Sequence, residues 1–446
     1  MPQYTIIGAD AAGLSAAVQI KRTHPGASIR ILNKGADISY GACGIPFVIG
    51  GNIEEIESLI HFTPDSFEKK RGMTVDVEKE VIELSPSSKE LSIKDLRSGA
   101  VEKESFTNLL IATGAEPKRL PFLDYESEGV FCVHTIPDLR GIITYIERKR
   151  SQRAAVIGAG FIGLELCEAL TRRGMQVTVL EALDSPIAAW PKTAKTAVMN
   201  EMTKRSVQFF LRTFVSDVQK TQQIFRLQTD ERTLEADVIF SVVGTIPAVS
   251  FCGSQFDKLP NGALLVDTQG RTSVPDIYAA GDCVGVKHLL TGKPVYMPLG
   301  STANKMGRIA GMNMAGKNVT FPGIVGTQIF KFFDLSLAKT GFSREEAEQE
   351  GWDAAAVSVT TPDRAGYYPG ASPVRMEITF EKDSHRLLGA LVVCRENAAR
   401  FIDPAAVALT GRMTLEDLAW LDAAYTPPFA PVWNALIRAA FKGLNP

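Results

Sequence analysis

One pattern constrains this chain more than any other, and it occurs twice, about 150 residues apart. Tyr4–Ile7 is a short apolar run, Gly8 to Gly13 a turn of small residues, Leu14–Arg22 a helix closed by Pro25-Gly26, and Ser28–Leu32 a second apolar run. Ala154–Ile157, the turn Gly158 to Gly163, the helix Phe161–Arg173 and the run Gln176–Leu180 repeat that order, with Gly174 just beyond the helix. A strand, a glycine turn, a helix and a second strand form a βαβ unit, and two units predict two Rossmann-like nucleotide-binding domains.

Further short apolar runs close on glycine: Asn108–Gly114, Asp237–Gly244 and Ile277–Cys283. Ser301–Ala315 reads as a helix. From about Gly326 the texture changes to strands (Val374–Glu381, Leu387–Cys394) and then helices (Asn397–Thr410, Thr414–Leu421), the mark of an α+β domain. The expected fold class is α/β, with two Rossmann-like domains and a C-terminal α+β domain. The first domain is expected to span 1–115 and 246–322, the second 116–245 and the third 323–446. A length of 446 residues suits roughly three domains.

With 48 Lys+Arg against 50 Asp+Glu, the net charge is −2, which argues against a nucleic-acid partner. No apolar run approaches the ~18 residues that cross a bilayer, so no membrane span is expected. Met1-Pro2-Gln3-Tyr4 offers no basic segment before its apolar run, hence no signal peptide. Cysteines 43, 132, 167, 252, 283 and 394 include no C-x-x-C pair, which argues against a disulfide framework or a zinc site. A cytoplasmic, metal-free protein is the expectation.

In the second unit, Gly158, Gly160 and Gly163 permit a tight turn, a close approach of backbone to pyrophosphate, and tight helix–strand packing. Glu181, ending the next strand, is placed to accept from a ribose 2′-hydroxyl. Ala182, Leu183 and Asp184 supply no cation for a 2′-phosphate, which favours NADH over NADPH. The bland alternative is a glycine turn without a ligand. In the first unit Asp10 replaces the middle glycine and Asn33 stands where an acid is usual, so the turn reads as a nucleotide site or as a plain βα connection.

Cys43 lies in Ser39-Tyr-Gly-Ala-Cys43-Gly-Ile-Pro46-Phe, where Gly41 and Gly44 would let a flat ring approach the sulfur. A helix starting just after Cys43 would favour the thiolate; an inert buried cysteine is the alternative, and the other five look like small core residues. Lys21-Arg22 and Lys69-Lys70-Arg71 are solvated helix ends unless they face Cys43 together. The tail Ala424–Trp433, rich in proline and aromatics, cannot continue a helix and reads as a packed arm or one crossing a dimer interface.

Taken in order, IIGADAAG, SYGACGIPF, FTPDSFEKKRG, LLIATGAEP, GAGFIGLE, PDIYAAGDC, PLGSTANKMGRIAG, GYYPG and AYTPPFAPVW resemble the single-cysteine flavoprotein disulfide reductases over essentially the whole chain. That branch holds coenzyme A disulfide reductases, NADH oxidases and peroxidases, and persulfide reductases. The resemblance implies FAD held by Gly8, Ala11, Ala12, Gly13, Asn33, Lys34, Ala112, Thr113, Gly114, Gly281, Asp282, Ser301, Thr302 and Ala303. It implies NADH at Gly158, Gly160, Phe161 (an aromatic gate), Ile162, Glu165, Glu181 and Gly244. Cys43 becomes the redox cysteine. Tyr367 and Tyr425 reach the cysteine of the other subunit of a homodimer, so that the active site is shared. Ser15, Gln19, Arg22, Ser39, Ala42 and Arg71 match positions that contact coenzyme A, a candidate ligand.

The implied reaction passes electrons from NADH through flavin and Cys43 to a small thiol-derived disulfide or persulfide. Water-forming NADH oxidation and a flavin-based redox sensor are the rivals. Three departures stand out. Ala42 replaces a frequent Asn before the cysteine, which bears on coenzyme A specificity. The first glycine turn lacks the His of the peroxidases. The chain ends at Pro446 with no rhodanese domain.

Overall fold

The computed structural model describes residues 3–222 and 224–445. Its first sheet is parallel, with strands in the order Ile277–Ala279, Asn108–Ile111, Gln3–Ile7, Ser28–Asn33, Val75–Val77. The central strands are covered on both faces. Leu109, Leu110, Ile111, Ile6 and Ile31 are all fully buried, as a parallel sheet sandwiched between layers requires. The second sheet repeats the plan with Gln208–Phe210, Gln176–Leu180, Arg153–Ile157, Val238–Ser241 and Val130–Phe131. In each sheet the strand order reverses beside the first strand of its unit, and the crevice at that switch point is where open α/β sheets bind ligands. The two are joined by an antiparallel ribbon, Ala115–Pro117 against Thr245–Pro247.

The third sheet is antiparallel, in the order Gln328–Phe332, Leu335–Gly341, Leu387–Cys394, Pro373–Glu381, Ala354–Pro362. Helices Ala399–Thr410, Leu415–Ala419 and Ala435–Leu444 bury Ile402, Leu409, Leu415, Leu418 and Leu436 with this sheet. The α/β class with a C-terminal α+β unit is therefore what forms. Two three-stranded antiparallel sheets, Lys79–Ser105 and Val215–Ala236, sit between the main elements. The tail turns at Thr426–Ala430 ahead of the final helix, as its prolines dictate.

One contact sets the geometry of the first nucleotide unit. Helices Ala11–Thr23 and Gly300–Met314 run parallel and touch backbone to backbone. A Cβ on Gly307 would strike the Ala12 carbonyl, and one on Gly311 the Ala16 carbonyl. In that register the second helix starts about six residues, roughly 9 Å, ahead of the first. Both N-termini face the same crevice, at different depths.

Gly307→Val should therefore lower unfolding free energy by about 2 kcal/mol, the scale of forced overpacking. The check is the urea midpoint at unchanged m-value; a midpoint equal to wild type would mean that these helices can part without loss.

Candidate functional site

The two glycine turns are built alike. Gly8 and Gly158 have φ of 106° and 108°, and a Cβ on either would meet the backbone of Ala112 or Val242. A Cβ on Gly13 or Gly163 would meet the carbonyl of Gly8 or Gly158. The residue that ends the second strand grips the turn in both units: Asn33 Oδ1 accepts from Ala9 N at 3.0 Å, and Glu181 Oε2 accepts from Ala159 N at 2.8 Å. Asn33 spends both amide hydrogens on the carbonyls of Gly35 and Asp37, and Glu181 Oε1 accepts from Leu183 N. Each oxygen of Glu181 keeps a lone pair for a hydroxyl. Gly160 differs from the other glycines. Its φ is −74°, and nothing lies within 4 Å of its Cβ position, so no protein atom demands a glycine there.

Around the first turn, Ala11, Ala12 and Gly13 open the helix, and Gly281 is pressed between Ala12 and Ala303. Ala112 follows strand Asn108–Ile111, with its N–H on Ile7 O. Next to it, Thr113 Oγ1 is buried without a hydrogen-bond partner among the described residues. Gly114 and Gly244, both at positive φ, flank the ribbon between the sheets. Ser301, Thr302 and Ala303 lie in the first turn of their helix, where Leu299 O already takes the N–H groups of Thr302 and Ala303. Lys34 turns to Glu80 at 2.7 Å, an exposed pair of small energetic weight.

Cys43 sits in a 3-10 turn, Ala42–Gly44, just before the short helix Ile45–Ile49. Ser39 N bonds Ala9 O at 3.0 Å, which docks this loop on the first glycine turn. Arg173 Nε reaches Ile49 O at 2.5 Å and Arg172 Nε reaches Gly50 O at 3.3 Å, tying the cysteine helix to the helix of the second unit. A Cβ on Gly44 would crowd the end of the Leu59 side chain, whereas Gly41 is open.

The sulfur is exposed to the crevice, yet the surrounding walls desolvate it. Burial first, then Glu165, Asp282 and Asp10, push the thiol above its ordinary range. Against the pull of the five-residue helix that follows, burial and then these carboxylates hold the thiol up. Those carboxylates are themselves pushed up by burial, Asp10 to about 6 and Glu165 to about 7, with Asp282 raised less because His134 and the Leu299 N–H oppose it. Four of the other cysteines are buried, but Cys132 is only half-buried, so it is not the core residue expected.

Beside this loop opens a cleft of about 270 Å³. Ser15, Gln19 and Arg22 reach it from one face of the first helix, at helical spacing, and Ser39 and Arg71 from the opposite wall. The two basic clusters, expected to matter only if they face Cys43 together, meet in this cleft through Arg22 and Arg71, although Cys43 itself is not part of the lining. Lys21 instead donates to Ala27 O at 3.4 Å. Ala42 does not line the cleft. Phe62, Phe67, Asn304 and Arg308 do, and sequence reasoning missed them. Asn304 and Arg308 lie four apart on the Gly300–Met314 helix, inside a motif that had been singled out, so the i,i+4 spacing was the available signal. Arg22, Arg71 and Arg308 make no ion pair among the described residues.

In the second unit Phe161 opens the helix and packs against Phe330 at 5.0 Å and Trp190 at 5.5 Å, ring centre to centre. Trp190 and Phe330 are 5.1 Å apart, which closes a triangle of rings. Ile162 is exposed beside them and Glu165 lies one turn on. Tyr367 and Tyr425 stand close together on the surface of the C-terminal unit, 77% and 49% exposed. The Tyr367 loop is braced by Asp363, which holds Arg364 and Ser372, and by Ala365 N on Pro427 O. Neither tyrosine lines the cleft of its own chain.

Residues 2–307 match the pyridine nucleotide-disulphide oxidoreductase family, and residues 327–436 match the dimerisation domain of the same family. The chain belongs to this family. A CoA-dependent NAD(P)H sulfur oxidoreductase of Pyrococcus abyssi is 34% identical over 98% of this chain and 96% of its own length. A coenzyme A disulfide reductase of Staphylococcus epidermidis is 31% identical, over 96% and 97%. An NADH oxidase of Methanocaldococcus jannaschii is 30% identical, over 99% and 98%. The structure of an NAD-dependent persulfide reductase from A. fulgidus superposes with a TM-score of 0.94 at 35% identity, covering 99% of this chain and 83% of that one. No helix among the described residues is long and apolar enough to cross a membrane.

For this oxidoreductase the charges around Cys43 give a direct test. Above its own pKa Glu165 is an anion that disfavours thiolate, so Glu165→Gln should move the pH midpoint of Cys43 alkylation downward. Iodoacetamide labelling followed by peptide mass spectrometry measures it; an unmoved or raised midpoint would show that the two groups do not interact.

Proposed function

We propose that this protein is an FAD-dependent, NADH-driven reductase of coenzyme A disulfide or persulfide, with Cys43 as its single redox cysteine. The observation that carries the reading is the joining, at one loop, of an exposed cysteine and a cleft with three unpaired arginines, between two nucleotide-type turns. Residues 1–115 and 246–322 would hold FAD, since strand Ile277–Ala279 returns to the first sheet. The parallel helix N-termini suit a pyrophosphate at one depth and a ring system at the other. The orphaned Thr113 hydroxyl and the Asp282 carboxylate supply polar partners beside them. Residues 116–245 would hold NADH. The bare space at Gly160 suits a pyrophosphate, and Glu181 disfavours a 2′-phosphate.

Bound flavin would supply a two-electron relay between hydride donor and disulfide. The chain itself supplies the sulfur chemistry. Cys43 thiolate attacks one sulfur of the disulfide, the first thiol leaves, and a mixed disulfide with Cys43 remains. Two electrons and a proton then break that bond, returning Cys43 thiolate and releasing the second thiol. Glu165, held near 7, can carry a proton beside the sulfur. Arg22, Arg71 and Arg308 would hold the phosphates of the coenzyme, with Ser15, Gln19, Ser39 and Asn304 hydrogen-bonding along it.

Tyr367 and Tyr425 would serve a second copy. They lie on a surface with Phe429, Val432 and Trp433 exposed, an apolar area fit for a homodimer that shares active sites. The relatives named NADH oxidase keep a second reading in play, in which oxygen is the acceptor and Cys43 passes through sulfenic acid.

Cys43→Ser should retain bound flavin and lose NADH-dependent thiol release from coenzyme A disulfide. Undiminished release would end the proposal; in the wild-type enzyme, oxygen uptake in place of thiol release would select the oxidase. Arg22→Ala and Arg71→Ala should each raise KM for coenzyme A disulfide about tenfold, the loss of one charge-assisted contact. A phosphate-free disulfide should show no such rise. Equal effects on both substrates would remove coenzyme A from the reading.

A further inference from the structure

The segment between Glu181 and Pro191 has features that binding of a ribose at Glu181 does not explain. It folds back on the second glycine turn, with Ile187 N on Ala159 O at 2.9 Å and Trp190 N on Ile187 O at 2.8 Å. Ile187 has φ of 42°, a left-handed conformation that a β-branched side chain adopts only under constraint. Trp190 is 4% exposed, and its indole N–H has no acceptor among the described residues. The ring is held by Phe161, by Phe330 and by Lys339, whose ammonium lies 5.8 Å from its centre. Lys339 also donates to Ala189 O at 2.9 Å and to Glu346 at 3.3 Å, so the C-terminal sheet clamps the segment from outside. A strained backbone and a large ring without a polar anchor describe a part held in place by its neighbours rather than by its own bonds.

From this geometry we infer that Trp190 is a positioning residue for the nicotinamide. With Phe330 it holds the Phe161 ring at the mouth of the second unit, and the strained segment gives way when the nicotinamide displaces that ring. The inference rests on the reading that Gly158–Gly163 takes NADH. Because the segment is bonded to Lys339, nucleotide binding in the second unit is felt by the C-terminal sheet. Removing the indole frees Phe161, which makes the site easier to enter and less well closed to oxygen.

Two measurements on the flavin-loaded enzyme test this. In Trp190→Leu the KM for NADH should fall at least threefold, and oxygen consumption with NADH but no disulfide should rise at least fivefold. Trp190→Phe, which restores a ring against Phe161, should bring both back toward wild type. A KM and an oxygen rate within twofold of wild type in Trp190→Leu would overturn the proposal.

Should Trp190→Leu fail to fold, tryptophan emission of the wild-type protein, with that of Trp190→Phe subtracted, reports the same event. NAD+ should change this difference signal, whereas ADP-ribose, which fills the glycine turn without a nicotinamide, should not. Binding of both ligands with no change in the signal sinks the role of Trp190; failure of both to bind sinks the underlying assignment of the turn.

Discussion

Two helices that touch backbone to backbone determine where everything else in the site lies. Gly307 on Ala12 and Gly311 on Ala16 admit no side chain between the helices, so their separation and register have almost no freedom. That contact fixes the offset between two helix N-termini. It traps Gly281 between them, which seats Asp282, and it places Arg308 and Asn304 across a cleft from Ser15, Gln19 and Arg22. The Cys43 loop is then hung on the first helix's turn through Ser39 and on the second unit through Arg172 and Arg173. Two separate units hold the few residues around Cys43.

The charges segregate in a way that matches two demands. In the cleft Arg22, Arg71 and Arg308 are exposed and make no ion pair among the described residues, which leaves their guanidinium groups free to meet an anion. Around the sulfur the ionisable groups are carboxylates raised by burial, and they oppose thiolate formation. A thiolate is nevertheless the nucleophile that disulfide chemistry needs. A cationic or electron-accepting group over the crevice would reverse the balance, and the same carboxylates can take up the proton. The geometry thus ties the reactivity of Cys43 to occupancy of the crevice.

Much of this was legible in the sequence because it rests on short-range rules. The glycine turns, the strands beside them and the end of each unit follow from periodicity and from glycine sterics. Gly13 and Gly163 are required by the carbonyls of Gly8 and Gly158, five residues back, whereas Gly8 and Gly158 are pressed by Ala112 and Val242, contacts that only the turn pattern foreshadows. The residues by themselves offered the meeting of Arg22 and Arg71 only as a condition, since 49 residues separate them in the chain; the family resemblance was what grouped them. Arg308 was missed for the same reason at greater range. Around Cys43 the local helix was visible in sequence, whereas the burial and the distant carboxylates that raise the thiol were not. Gly44 illustrates a subtler failure. Its lack of a side chain reads as room for a ligand, whereas the structure assigns it to Leu59.

The two glycine turns, so alike in their steric demands, diverge at the one position that protein packing leaves open. Gly160 has empty space where a side chain would go, and its counterpart in the first unit is Asp10, a carboxylate on the wall of the arginine-lined cleft. Sterics therefore cannot account for the glycine in one turn or exclude the acid in the other, and the difference must come from what each turn meets. A turn that presents backbone alone suits close approach of a polyanion. A turn that carries an acid on its outer side can bind with its inner N–H groups while Asp10 faces a second ligand in the cleft. On the proposed reading one turn would serve a single ligand and the other would stand between two, and the Cys43 loop is tethered to the second through Ser39 N on Ala9 O.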